Sequence, residues 1–136
     1  MILADTSGLL ALFNQREPRH DDVRSALTHV RAPIVVSPYV VAELDYLVGR
    51  RIGMAAQLAV LRELSGPGYE LAAMDAALLE RATEIVERYA DQQIGVTDAS
   101  IVALAQQYRT DLVLTLDRRH FDVLRTVEGK PFALLP

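Results

Sequence analysis

Four carboxylates stand out in this chain: Asp5, Glu43, Asp98 and Asp117. Asp5 closes an apolar opening run, and Asp117 closes the apolar stretch 112–116. Asp98 falls in the first turn of a helix beginning near Thr97, and Glu43 lies more than one turn inside a helix launched by Ser37-Pro38. In an open parallel α/β sheet, sites gather beyond the carboxyl ends of the strands, and three of the four acids fall there. Helical side chains tilt back toward the helix N-terminus, so a long Glu43 side chain can reach over the same sheet edge. Its neighbours Val40, Val41, Leu44 and Leu47 are apolar, which predicts an acid bordered by core.

Carboxylates brought together repel and raise one another's pKa, so a stable cluster requires a cation. All the donors are oxygens, and cysteine is absent. That chemistry suits Mg²⁺, with Mn²⁺ as the alternative. Thr6, Ser7, Ser37 and Thr115 are placed to hydrogen-bond the ligands or their waters. Such a site can activate water and neutralise charge on a phosphodiester. Taken singly, each acid has an ordinary structural explanation: Asp98 by the helix dipole, Asp5 as a cap, Asp117 by pairing with Arg118 or Arg119. Glu43 is the hardest to explain in that way, because an isolated buried carboxylate is costly.

The elements that must position these residues alternate. The run 1–5 reads as a strand meeting Thr6 and Ser7 as candidate helix caps, and Val23, Ala26, Leu27 and Val30 recur on one helix face. Ile34, Val35 and Val36 form a β-branched strand, and Ser37-Pro38 is a cap followed by a first-turn proline. Beyond Gly53, Met54, Leu58 and Leu61 lie along one helical stripe up to Gly66-Pro67-Gly68. A strand is expected over 69–74, then a helix capped by Asp75 with Leu78, Ala82, Ile85 and Tyr89 on its apolar face. Thr97 is the expected cap of the next helix, which carries Ile101, Leu104, Ala105 and Tyr108. Strands over 112–116 and 132–135 follow, the last at an edge. The order predicts a three-layer α/β/α domain with a central parallel sheet, spanning 1–136 as one unit.

The chain has 136 residues, 51% apolar and 24% charged, a composition that folds unaided. A formal charge of −4 excludes a protein that coats nucleic acid through a broad basic surface. Of 14 basic residues only Lys130 is lysine; the rest are arginines, which grip phosphate in a planar fork. No apolar run reaches the roughly 18 residues of a membrane helix. The opening MILADTS lacks the basic flank of a secretory signal, so the cytoplasm is the expected compartment.

The segments Asp5-Thr6-Ser7, Ser37-Pro38-Tyr39-Val40-Val41-Ala42-Glu43-Leu44, Val96-Thr97-Asp98-Ala99-Ser100 and Leu114-Thr115-Leu116-Asp117-Arg118-Arg119-His120-Phe121 resemble the PIN-domain superfamily, and within it the VapC toxins of bacterial toxin–antitoxin pairs. The resemblance covers essentially the whole chain. It implies a metal-dependent endoribonuclease that arrests translation, neutralisation by a VapB-like antitoxin, and homodimerisation. It places Asp5, Glu43, Asp98 and Asp117 on the family's acidic positions, with Thr6 and Thr115 on hydroxyl positions beside the metal. Asp91 resembles an additional acid of some relatives, although a loop cap accounts for it better.

Arg118, Arg119 and His120 follow the fourth acid and are candidates for holding RNA. His20 and His29 read as surface residues, and Tyr39 and Tyr46 as core or dimer contacts. An antitoxin would insert a cation into the acidic hollow and cover apolar helix surface near Leu58 and Leu61. The RNA expected is a structured loop; the segments Val36 to Val48 and Leu114 to Phe121 resemble the rRNA-cutting VapC relatives, and that resemblance implies the sarcin–ricin loop of large-subunit rRNA ahead of a tRNA loop. Two other readings compete. A phosphotransferase with an aspartyl nucleophile wants a second Asp two residues after the first and a nearby Lys, but Ser7 stands there and Lys130 is remote. A PIN-like module that binds RNA or protein without cutting would be marked by a lost acid, and none is lost.

Overall fold

The computed structural model describes all residues from Met1 to Pro136. Five short parallel strands, β1 (Ile2–Ala4), β2 (Ile34–Val36), β3 (Tyr69–Leu71), β4 (Leu112–Leu114) and β5 (Ala133–Leu135), form one sheet in the order β3-β2-β1-β4-β5. Leu3 pairs with Val35 on one side and Val113 on the other, so β1 is central. Every residue of β1 and β2 is buried, as expected of parallel strands covered on both faces.

Right-handed crossovers fix the layers. From β1 the chain steps outward through β2 to β3, then returns across the sheet to β4. The reversal sends the later helices to the opposite face. The earlier group is α1 (Thr6–Phe13), α2 (His20–Val30), α3 (Pro38–Arg51) and α4 (Met54–Leu64), and its members pack on one another. The later pair, α5 (Ala76–Arg88) and α6 (Val96–Tyr108), makes the most extensive helix–helix contact in the molecule. A short helix, α7 (Arg118–Phe121), follows β4. Reversal of strand order between β1 and β4 opens a crevice beyond their carboxyl ends. Asp5 and Asp117 both follow those ends.

Local signals explain most boundaries. Ser37 accepts a hydrogen bond from the Tyr39 amide at 3.2 Å and Pro38 opens α3, while Asp75 accepts one from the Leu78 amide at 2.9 Å. Arg50 and Arg51 close α3, where cations complement the helix dipole. α6 is buried continuously from Ala99 to Ala105, which makes it the central helix of its layer. Gly8 lets α1 lie directly on β4: a Cβ there would stand 2.5 Å from the Leu114 carbonyl oxygen. Gly53, at φ 130°, makes the turn between α3 and α4 that other residues rarely adopt.

Several expectations are corrected. α6 is capped by Gly95, and Thr97 is already helical. Thr6 and Ser7 are likewise inside α1, whose N-cap is Asp5. β4 stops at Leu114 rather than 116: the Thr115 amide makes the last ladder bond, to the Leu135 carbonyl, and the next two amides, Leu116 and Asp117, go to the Ser7 and Thr115 hydroxyls instead of to a strand. β3 ends at Leu71 instead of 74. On α4 the stripe of Met54 and Leu58 is exposed, and Val60 and Leu64 face the core. His20 is buried, with Nδ1 donating to the Ala11 carbonyl at 2.7 Å, so it ties α2 to α1 and is not a surface residue. Tyr46 is 61% exposed and therefore not a core contact.

Candidate active site

Asp5, Glu43, Asp98 and Asp117 line one cleft of about 390 Å³ beyond the carboxyl ends of β1 and β4. Thr6, Ser7 and His120 line it too. Asp5 is its buried floor, held by two hydroxyls: Ser7 Oγ donates to Oδ2 at 2.6 Å and Thr115 Oγ1 donates to the same oxygen at 2.8 Å. Each hydroxyl has one proton, already spent on Asp5, so their own 3.2 Å approach is incidental. Their lone pairs receive backbone donors. The Leu116 amide reaches Ser7 Oγ at 2.9 Å and the Asp117 amide reaches Thr115 Oγ1 at 3.0 Å. The segment carrying Asp117 is thereby pinned to the residues that orient Asp5.

Asp98 projects from the first turn of α6 and is mostly buried. Burial pushes its pKa up to about 6; the neighbouring Asp5 and Asp117 charges add to the rise, and His120 opposes it. Asp117 caps α7, accepting from the His120 amide at 3.2 Å. His120 Nδ1 stands 3.0 Å from Asp98 and 3.2 Å from Asp117 without an aligned hydrogen bond to either.

Glu43 corrects the sequence reading. It reaches the cleft, but as an exposed residue at its mouth, not as an acid buried among apolar neighbours. Val40 and Leu44 point to the core from another face of α3. Ser37 also differs from expectation. It is buried outside the cleft and donates to Ser100 Oγ at 2.7 Å, and Ser100 in turn donates to the Thr97 carbonyl at 2.6 Å. Its work is to fix the start of α3 against the start of α6, and so Glu43 against Asp98. Arg118 and Arg119 are exposed and lie outside the cleft lining; Arg118 donates to the Pro136 carbonyl at 3.3 Å. Asp91 is exposed in a 3₁₀ turn, Ala90–Gln92. Two polar side chains of the lining, Arg51 and Gln93, are not among the residues that the sequence marks as site candidates. Gln93 has φ 55°, which nothing in a non-glycine sequence announces. Arg51 repeats the helical spacing of Glu43 and Leu47, a signal that was available.

A divalent cation fits this lining. The donors are oxygens, and Thr6 Oγ1 is buried in the cleft wall without a hydrogen-bond partner, the position of a group with a ligand or its water to meet. The raised pKa of Asp98 marks carboxylates that need a counter-charge. The acids are spread around the cleft and are not closed into a set of three ligands; His120 stands between two of them.

The PIN domain family profile matches residues 2–126. The chain belongs to the PIN-domain family. It is 53% identical over 135 residues to Ribonuclease VapC26 of Mycobacterium tuberculosis, covering 99% of this chain and 100% of that one. The solved structure of Mycobacterium tuberculosis VapC20, a sarcin–ricin loop cleaving toxin, superposes with a TM-score of 0.83 at 26% identity over 96% of this chain and 100% of that chain. A toxin–antitoxin complex from Klebsiella pneumoniae shares the fold, with a TM-score of 0.71 at 20% identity and coverage of 100% and 97%. The expected fold is thus borne out: this PIN domain has a central parallel sheet of five strands flanked by helices.

The Asp98 shift has a measurable consequence. Its folded pKa of about 6 exceeds the ordinary 3.8, so between those values the folded protein binds more protons than the unfolded chain. The resulting stabilisation is complete below the unfolded value and is lost as pH rises through the folded one. In EDTA, the PIN domain is expected to be more stable at pH 5 than at pH 7.5 by about 1 kcal/mol from this group. Thermal melts of wild type and Asp98→Asn at both pH values measure it. The same pH gap in both proteins would refute the assignment to Asp98.

Proposed function

We propose that this PIN domain is the toxin of a toxin–antitoxin pair, a Mg²⁺-dependent endoribonuclease, with Mn²⁺ as the alternative metal. The observation that carries the reading is the convergence of Asp5, Glu43, Asp98 and Asp117 on one cleft. It occurs in a chain 53% identical, end to end, to a ribonuclease. Asp5, Asp98, Asp117 and Glu43 would hold the cation, with Thr6 beside it. When bound, it supplies water activation and neutralises charge on the phosphodiester. The chain's own residues do the rest: Ser7 and Thr115 orient Asp5 through Oδ2, Ser37 and Ser100 set the two helices, and His120 offers an N–H at the cleft wall.

The acidic cleft and the net charge make bulk electrostatic capture of RNA weak, so recognition rests on a few contacts and on RNA shape. Structured loops, whose backbone can bend into a metal site, suit it. The sarcin–ricin loop of large-subunit rRNA is our preferred substrate, supported by the likeness to VapC20, and a tRNA loop is second. Cleavage of either arrests translation. Arg118 and Arg119 would meet RNA outside the cleft rim, and His120 within it.

A VapB-like antitoxin, a homodimer and a cytoplasmic location complete the reading; no helix is long and apolar enough to cross a membrane. The apolar groove of about 610 Å³ beside the cleft, lined by Phe13, Val48, Ile52 and Val60, shares Leu10 with it. This groove, not the outer face of α4 at Leu58, is where the antitoxin would lie while placing a cation among the acids.

Incubating the protein and Mg²⁺ with total RNA and mapping new 5′ ends is the decisive experiment. One dominant cut in an rRNA hairpin loop, abolished by EDTA, is the expected result. Uniform degradation of unstructured RNA, or no cleavage with either metal, rules the reading out.

A further inference from the structure

We propose that Arg51 is the phosphate clamp of the cleft, holding a backbone phosphate of the bound RNA that flanks the one being cut. The inference rests on the nuclease reading above and adds to it the residue that retains the substrate. The cleft lining holds four carboxylates and one guanidinium, that of Arg51. One divalent cation leaves such a lining net negative, so a polyanion entering it meets repulsion unless a fixed cation offsets it. Arg51 is the arginine placed to do that.

The placement follows from α3. Glu43, Leu47 and Arg51 recur at i, i+4 and i+8 on one face, and all three line the cleft. Eight residues of helix rise put the Arg51 backbone about 12 Å along the axis from Glu43. The guanidinium therefore belongs beside the metal ligands rather than among them, which suits a flanking phosphate. It is also uncommitted: Arg51 pairs with no carboxylate in a cleft lined with them. Its neighbour Arg50 is different, with its guanidinium stacked 5.7 Å from the centroid of the Tyr46 ring. The last turn of α3 holds a cation favourably. The helix that carries it is tied to α4 by the Gln57 side-chain amide, which donates to the Asp45 carboxylate at 2.8 Å. A planar fork free of other partners can meet a phosphate with two hydrogen bonds.

The test uses a fluorescein-labelled RNA hairpin carrying the sarcin–ricin loop sequence, with binding read by anisotropy in Ca²⁺ and cleavage read separately in Mg²⁺. Arg51→Ala is expected to weaken binding about tenfold and to flatten the slope of log Kd against log salt by about one phosphate contact. KM should rise by the same factor while kcat stays within about threefold. Arg51→Lys, which keeps the charge and loses the fork, should recover part of the affinity. Unchanged Kd and slope in Arg51→Ala overturn the proposal. So does a fall in kcat at unchanged Kd, which would put the guanidinium on the reacting phosphate, and so does a change in sedimentation mass without a change in Kd, which would make it an interface residue. Failure of the nuclease reading looks different: the wild type would bind the hairpin through Arg51 and cut no RNA in any divalent metal.

Discussion

Asp98→Asn is expected to abolish metal-dependent RNA cleavage, by on the order of 10³-fold or more, while leaving the protein folded. Loss of a residue that merely orients a metal ligand costs about 10- to 100-fold, and loss of the ligand itself costs more. The substitution keeps the shape and removes a charge that burial and the Asp5 and Asp117 carboxylates already disfavour. The metal-free variant should therefore melt no lower than wild type at pH 7.5, and somewhat higher. This pairing separates the catalytic explanation from the structural one. A helix-dipole role for Asp98 would lower the melting temperature on substitution and leave cleavage largely intact. Cleavage rates at saturating Mg²⁺ together with melts in EDTA read both quantities, and full activity in a folded variant would remove Asp98 from the site.

The parts of the site visible in the sequence were those with a local cause. Asp5 and Asp117 could be placed because β-branched and aliphatic runs end at them, and Ser37-Pro38 and Asp75 because caps are written in adjacent residues. What sequence alone could not provide was the partner of each polar group. His20 is buried because a carbonyl of α1 accepts from it. Ser37 leaves the cleft because Ser100, 63 positions away, takes its proton. Glu43 shows a different limit. Apolar neighbours at i−3 and i+1 suggested burial, yet those positions belong to the core face of α3, whereas i+4 and i+8 share the face of Glu43 and line the cleft. The correct phase of the same periodicity brings Arg51 into view.

Thr115→Val is expected to weaken divalent-metal binding by about 10- to 100-fold although Thr115 was assigned no place among the ligands. The side chain is fully enclosed and valine has nearly its shape, so the change is confined to one hydroxyl. That hydroxyl does two things at once. It donates to Asp5 Oδ2 at 2.8 Å and accepts from the Asp117 amide at 3.0 Å, joining the acid after β1 to the acid after β4 through a single atom. Without it, Asp5 keeps only the Ser7 donor, and the Asp117 amide loses its acceptor at the edge of the cleft. The lost hydrogen bonds should lower stability by about 1 to 2 kcal/mol. Saturating metal should restore much of the cleavage rate, because the acids themselves remain and the cation can draw them together. Calorimetric titration with Mn²⁺, alongside cleavage measured as a function of Mg²⁺ concentration, distinguishes this from direct participation. If instead affinity is unchanged and the rate stays low at every metal concentration, the hydroxyl acts on the RNA and the positioning role is wrong.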